Sequence, residues 1–104
     1  MYEIQLDAMG DPTRRAIIQT LRAQGAMAVG DLARRFPVSR PAISQHLKIL
    51  KDARLVADEA QGRRRLYRLD PAGFSSLRDY FDQFWTTALT AYAEAADAAK
   101  EVPQ

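Results

Sequence analysis

Ile43, Leu47 and Leu50 step by four and three residues, the spacing of one face of an α-helix. Pro41, Ser44, Gln45 and Lys48 fall on the opposite side. The pattern predicts a helix from Arg40 to about Ala53 with one apolar and one polar face. Ser39 is a suitable cap, and Pro41 lies in the first turn, where a missing N–H costs little. Just upstream, Leu32, Ala33 and Phe36 sit at helical spacing in a short segment, Asp31 to Phe36, which Pro37 ends. Val38-Ser39 is then a tight turn between two helices.

The rest of the chain is punctuated by Gly and Pro. Tyr2 to Met9 predicts a short helix with Leu6 and Met9 as apolar points, stopped by Gly10. Asp11-Pro12 is an N-cap followed by proline at the first helical position. The helix it starts runs to about Ala23, turns Ala16, Ile17, Ile18 and Leu21 inward, and stops at Gly25. Met27 to Val29 is a candidate for a very short strand. Leu55 to Ala60 and Arg64 to Leu69 flank Gln61-Gly62-Arg63, the pattern of a β-hairpin with a glycine turn. Tyr67 and Leu69 share one face of its second strand. Asp70-Pro71 repeats the helix-start signal, and a long helix follows to about Lys100. In it Phe74, Leu77, Phe81, Phe84 and Ala88 step by three, four, three and four, and a second stripe holds Trp85, Leu89, Tyr92 and Ala96. The expected fold is mainly α with a small β-hairpin wing, in the order α-α-(β)-α-α-β-β-α, as one domain over 1–104.

Composition changes this picture in three ways. With 104 residues, 47% of them apolar, the chain is sized for one small globular domain that would gain from an oligomeric partner. It has no cysteine, which removes disulfides, thiolate metal sites and thiol switches together. No signal-peptide pattern and no long apolar run is present, so a soluble, cytoplasmic protein without a membrane partner is expected. The net charge of +2 says little, but its distribution says more. Arg34 to Arg68 holds ten Lys and Arg against three Asp and Glu, whereas Pro71 to Gln104 holds two against five. A basic middle sector suits phosphates, or else is a solvated charged face.

Two short helices joined by a tight turn fit a helix-turn-helix, whose second helix enters the major groove of double-stranded DNA. Arg40, Pro41, Ser44, Gln45 and Lys48 would then face outward. Gln pairs bidentately with adenine and Arg with guanine, while Ser and Lys reach base or phosphate. The Ser39-capped N-terminus offers N–H groups to a phosphate. The plainer alternative is an αα-hairpin with a polar face. Arg63, Arg64 and Arg65 at the hairpin tip suit phosphates or a narrow minor groove, or else discourage edge aggregation. His46, the sole histidine, lies beside the buried stripe and serves packing or a phosphate; one histidine without cysteines makes no metal site. The wide apolar face of the last helix exceeds what so small a domain can cover. A second copy of the chain, contacting Phe74, Leu77, Phe81, Phe84, Trp85, Ala88, Leu89 and Tyr92, with Leu6 and Met9 joining, would cover it. The alternative is an aromatic pocket for a small effector between the same helices. Asp79, Asp82, Glu94 and Asp97 read as a solvated face. No acid–base or nucleophile set points to an enzyme, and no metal or cofactor is expected.

These residues resemble the ArsR family of winged helix-turn-helix repressors over nearly the whole length. The resemblance runs through Ala8-Met9-Gly10-Asp11-Pro12-Thr13-Arg14-Arg15-Ala16-Ile17 and Val29-Gly30-Asp31-Leu32-Ala33. It continues in Val38-Ser39-Arg40-Pro41-Ala42-Ile43-Ser44-Gln45-His46-Leu47-Lys48-Ile49-Leu50, then in Leu55-Val56 and Gly62 to Leu69. It implies a homodimer through the first and last helices and repression by blocking transcription at an inverted-repeat operator. The family's metal sensors often carry a cysteine pair in the first helix of the motif, or Asp/His ligands on the last helix. This chain has neither the cysteines nor a histidine there, so it resembles a branch without those sites. Arg54 stands where relatives often place glycine, and Ala28 where many have a Ser or Thr cap. The competing reading is a winged-helix module that binds protein instead of DNA.

Overall fold

The computed structural model describes residues 2–100. Among them the order is α1 (Glu3–Met9), α2 (Pro12–Gln24), β1 (Met27–Ala28), α3 (Val29–Ala33), α4 (Arg40–Asp52), β2 (Val56–Gln61), β3 (Arg64–Leu69) and α5 (Pro71–Lys100). This is the element order the sequence predicts. Three helix starts combine a polar cap with a proline in the first turn. The Asp11 carboxylate accepts from the Arg14 N–H at 3.0 Å, Ser39 Oγ from the Ala42 N–H at 3.2 Å, and the Asp70 carboxylate from the Ala72 N–H at 2.9 Å. Each cap satisfies an N–H that the helix itself cannot.

The sheet runs β1-β3-β2 with all pairs antiparallel. Tyr67 faces Met27 on one side of β3 and Asp58 on the other. The deepest side chains are Ile17 of α2, Leu32 of α3, Ile43, Leu47 and Leu50 of α4, and Leu55 and Val56 at the entry to β2. The inward stripe of α4 is therefore the centre of the core, and its outward row is held at a fixed angle to everything else.

Several boundaries differ from expectation. The first helix of the motif covers Val29–Ala33, not Asp31 to Phe36. β1 hands the chain into it at Ala28, and beyond Ala33 the helix gives way to tighter turns, with Arg35 N–H bonding Leu32 O and Phe36 N–H bonding Ala33 O. Val29 is helical, so β1 is two residues long. Gln61 pairs with Arg64, which leaves a two-residue turn, Gly62-Arg63, instead of three residues. Gly62 has φ +63°, the positive value that such turns demand. Ala16 is half-buried, whereas Ile18 is buried.

The end of α4 is the most heavily bonded point. Arg54 has φ +58°, Leu55 N–H reaches back to Leu50 O, and Arg54 N–H to Lys51 O, which together make a Schellman cap with arginine in the usual glycine position. The next three carbonyls accept from α1, from α5 and from the residue that leads into α5. Gln5 Nε2 of α1 donates to Ala53 O at 2.8 Å, Gly73 N–H of α5 to Arg54 O at 2.8 Å, and Asp70 N–H to Leu55 O at 2.9 Å.

The molecule extends 73 × 25 × 21 Å with a radius of gyration of 19.5 Å. A compact chain of this length would have about 13 Å. The excess comes from α5, whose 30 residues run about 45 Å.

Two substitutions test the corner at the end of α4. A Cβ on Gly73 would lie 2.5 Å from Arg54 O and 2.8 Å from Ala53 O, both backbone atoms. Gly73→Ala should therefore cost about 2 kcal/mol or more, in the range of overpacked cores. Arg54→Gly removes left-handed strain and should stabilise by up to about 1 kcal/mol. Urea midpoints at one fixed protein concentration check both. A neutral Gly73→Ala would mean the corner is looser than its hydrogen bonds imply.

Candidate nucleic-acid interface

The structure brings most of the expected surface together on one side. Arg40, Pro41, Ser44, Gln45 and Lys48 are all exposed along the outer row of α4, opposite the buried Ile43, Leu47 and Leu50. Ser39, at the head of the row, is exposed and caps the helix. The β2–β3 hairpin stands beside α3 and carries Arg63, Arg64 and Arg65, all exposed. Between hairpin and helices lies an open cleft of about 480 Å³ bordered by Gly30, Asp31, Arg40, Arg63, Arg64 and Arg65.

The three hairpin arginines are not equivalent, which their adjacency in sequence conceals. Arg63, in the turn, has no ionic partner among the described residues. Arg64 bonds the Asp31 carboxylate at 2.5 Å, and Arg34 bonds the other oxygen of the same group. Arg65 bonds Asp58 at 3.0 Å, and Lys51, in the last turn of α4, bonds Asp58 at 2.9 Å. The Asp58 side chain is only 8% exposed. Arg65 thus joins the two strands of the wing through Asp58, and Lys51 ties that same carboxylate to α4. Asp31 meets Arg34 at the i,i+3 spacing of one helical turn, but its contact with Arg64, and both contacts of Asp58, arise only through the fold.

His46 lies beside the buried stripe, as expected, although the sequence also counts it among the residues that could contact DNA. It is half-buried, and its Nδ1 lies 3.4 Å from the Arg14 guanidinium. Arg14 also donates to Ala8 O at 2.7 Å and Asp7 O at 3.3 Å, closing the end of α1. The structure gives His46 a packing role against the α1–α2 corner, and it does not sit with Gln45 and Lys48. Among the described residues no group of three His, Cys, Asp or Glu side chains could hold a metal ion. No described helix is long and apolar enough to cross a membrane.

The residues expected at an interface divide into two sets. Leu77 is buried in its own chain's core, and Leu6, Met9 and Phe74 are partly buried against that core. Those four are already largely covered. Phe81, Phe84, Trp85, Leu89 and Tyr92 are open to solvent, Trp85 at 65% and Tyr92 at 76%, and Ala88 is exposed with them. Tyr80, which both stripes step over, stacks on Tyr2 at 4.3 Å and meets Phe84 edge-on at 4.9 Å. Ile4 is a further exposed apolar side chain on α1. Next to the Tyr2–Tyr80 stack lies an open recess lined by Tyr2, Glu3, Ser76 and Asp79.

α3, its turn and α4 form a helix-turn-helix and the β2–β3 hairpin is its wing, so the chain is of the winged helix-turn-helix class. Comparison with known proteins narrows this further. Residues 9–59 match a family described as a helix-turn-helix domain. The sequence is 59% identical over 91 residues to the HTH-type transcriptional regulator Rv2034 of Mycobacterium tuberculosis, covering 88% of this chain and 84% of the relative. It is 44% identical over 63 residues to the transcriptional repressor SdpR of Bacillus subtilis, covering 61% and 69%. The solved structure of an ArsR-like transcriptional regulator from Rhodococcus sp. RHA1 aligns over 97% of this chain and 94% of its own, with a TM-score of 0.76 and 27% identity. The chain belongs to the ArsR family of helix-turn-helix transcriptional regulators, as its sequence resemblance implied.

The Lys51–Asp58–Arg65 bridge has a pH signature. Burial works against the Asp58 carboxylate, but hydrogen bonds from Lys51 and Arg65, with their charges, outweigh it and hold the pKa below the ordinary 3.8. A folded value below the unfolded one stabilises the fold fully above the ordinary value, and that contribution drains away as pH falls through the folded value. Urea midpoints from neutral pH down to about pH 2 should therefore fall more steeply in the native sequence than in Asp58→Asn. Parallel curves for the two proteins would remove Asp58 from the acid response.

Proposed function

We propose that this chain is a transcriptional repressor that works in the cytoplasm, binding an inverted-repeat operator as a homodimer and blocking transcription there. One observation carries the reading. The helix whose inner stripe anchors the core presents Arg40, Ser44, Gln45 and Lys48 outward in a row, beside a cationic wing. A helix so anchored enters the major groove without moving. Ser44 and Gln45 face base edges, where a Gln amide can bond N6 and N7 of adenine together. Arg40, Lys48, the capped N–H groups of α4 and the wing hold phosphates and set register. The chemistry is recognition alone and needs no cofactor.

The dimer follows from the open aromatic face of α5. Phe81, Phe84, Trp85, Leu89 and Tyr92 together form too much contiguous apolar surface for a monomer to leave in water. A two-fold axis covers the same face on both copies. It also presents two recognition helices, which half-sites about 34 Å apart would accept on one side of the duplex.

Recognition helix and wing should fail differently. On a duplex selected from a random pool, Gln45→Ala should cost about 1–3 kcal/mol, with little change on scrambled duplex or in salt dependence. Arg63→Ala should weaken both duplexes alike and lower the slope of log K against log salt by about 1. Fluorescence anisotropy at several salt concentrations separates them. Equal losses on both duplexes for Gln45→Ala would overturn the base-reading role of α4.

The dimer has its own test. Sedimentation equilibrium at micromolar concentration should give twice the chain mass, and Phe84→Glu should give a folded monomer with at least about tenfold weaker operator binding, since linked half-sites are lost. A native monomer at that concentration would overturn the proposal.

A further inference from the structure

The Asp31 carboxylate sits at the edge of the cleft between wing and helices, surrounded by cations. One oxygen bonds Arg34 and the other bonds Arg64. Arg40, the first residue of the recognition helix, and Arg63 and Arg65 of the wing border the same cleft. A carboxylate and a phosphate diester look alike to a guanidinium, since each offers a pair of oxygens that match its fork. The cleft also lies on the same side as the outward row of α4, between the two elements expected to straddle a DNA backbone.

We infer that this cleft seats one backbone phosphate of DNA, and that Asp31 stands in for that phosphate in the free protein, handing Arg64 over when the duplex binds. The inference rests on the DNA-binding reading above and adds a residue that opposes binding. The handover is open because the pair is exposed, with Arg64 at 60% and Asp31 at 38%. Exposed ion pairs hold weakly, whereas a phosphate brings counterion release with it. Asp31 is not stranded by the exchange, because Arg34 stays on its other oxygen. Arg65 does not take part, since it is committed to Asp58. In the complex Asp31 remains close to the phosphate and repels it. Its role is to hold Arg64 in the orientation a phosphate needs while lowering affinity for DNA of any sequence.

The test uses the full chain and a random-sequence duplex, read by fluorescence anisotropy at several salt concentrations. Asp31→Asn should bind about 3–10-fold more tightly at low salt, and its slope of log K against log salt should steepen by up to about 1. Asp31→Glu, which keeps the charge, should stay near the native affinity. In an Arg64→Gln background, the gain from Asp31→Asn should shrink to less than half, because the cation it frees is gone. Circular dichroism and thermal melts of each variant establish that α3 is intact. Weaker binding by a folded Asp31→Asn would overturn the inference and make Asp31 a strut for the wing. So would an unchanged affinity, or a gain as large without Arg64 as with it; in all these cases the DNA-binding reading stands. If the native chain bound no duplex even at low salt, that reading would fall, and the inference with it.

Discussion

Three successive carbonyls, those of Ala53, Arg54 and Leu55, join the parts of this molecule. They follow the recognition helix, and they accept from Gln5 of α1, Gly73 of α5 and the Asp70 N–H between sheet and α5. Each bond adds about 0.5–1.5 kcal/mol, but leaving any of these groups buried and unpaired costs more. The arrangement explains two unfavourable local features. Arg54 adopts a left-handed conformation so that its carbonyl meets α5. Gln5 is buried with Oε1 unpartnered among the described residues, and its Nε2 secures Ala53 O. Because α1 and α5 both grip the C-terminus of α4, the recognition helix has a set angle to the helix that projects from the fold. Any two-fold contact along α5 therefore dictates how far apart two recognition helices stand.

Two acids pair with cations of the basic sector. Asp58, almost fully covered, binds Arg65 and Lys51 and so links the wing to α4. Asp31, partly exposed, holds Arg64 and Arg34 loosely at the mouth of a cleft. Arg63 alone projects from the turn without an ionic partner among the described residues. Three adjacent arginines thus occupy a graded series from structural to available. Burial of the partner carboxylate, not position in the sequence, sets each one's place in it.

Periodicity made the helices legible, and cap-plus-proline pairs made three of their starts legible to the residue. Features governed by contacts distant in sequence were not. The start of α3 depends on β1 pairing with β3, so no spacing within Asp31 to Phe36 could reveal it. The hairpin turn is one residue shorter than expected because Gln61 continues the ladder opposite Arg64. His46 sits at a helical angle between the two faces of α4, and Arg14, thirty-two residues away, decides which one it joins. Asp31, Asp58 and Gln5 are ordinary surface-type residues by composition. The left-handed conformation of Arg54 was not legible in the sequence either, although the position is one where relatives often place glycine.

The apolar stripe from Phe74 to Ala88 is continuous in sequence, yet its two ends lie in different surroundings. Phe74 and Leu77 pack against the chain's own core, whereas Phe81, Phe84 and Ala88, on the same stripe, are exposed among the described residues. The change comes within one helical turn, at Tyr80 and its stack on Tyr2 of α1. A stripe that simply ran off a globule would be expected to turn polar past that point. Here it gains Trp85, Leu89 and Tyr92 as a second apolar row. The apolar pattern of a core therefore continues along α5 past the described elements that pack against it. In the proposed homodimer, a second α5 with the same face exposed would cover this row, and a two-fold axis would set the same residues of both copies against each other.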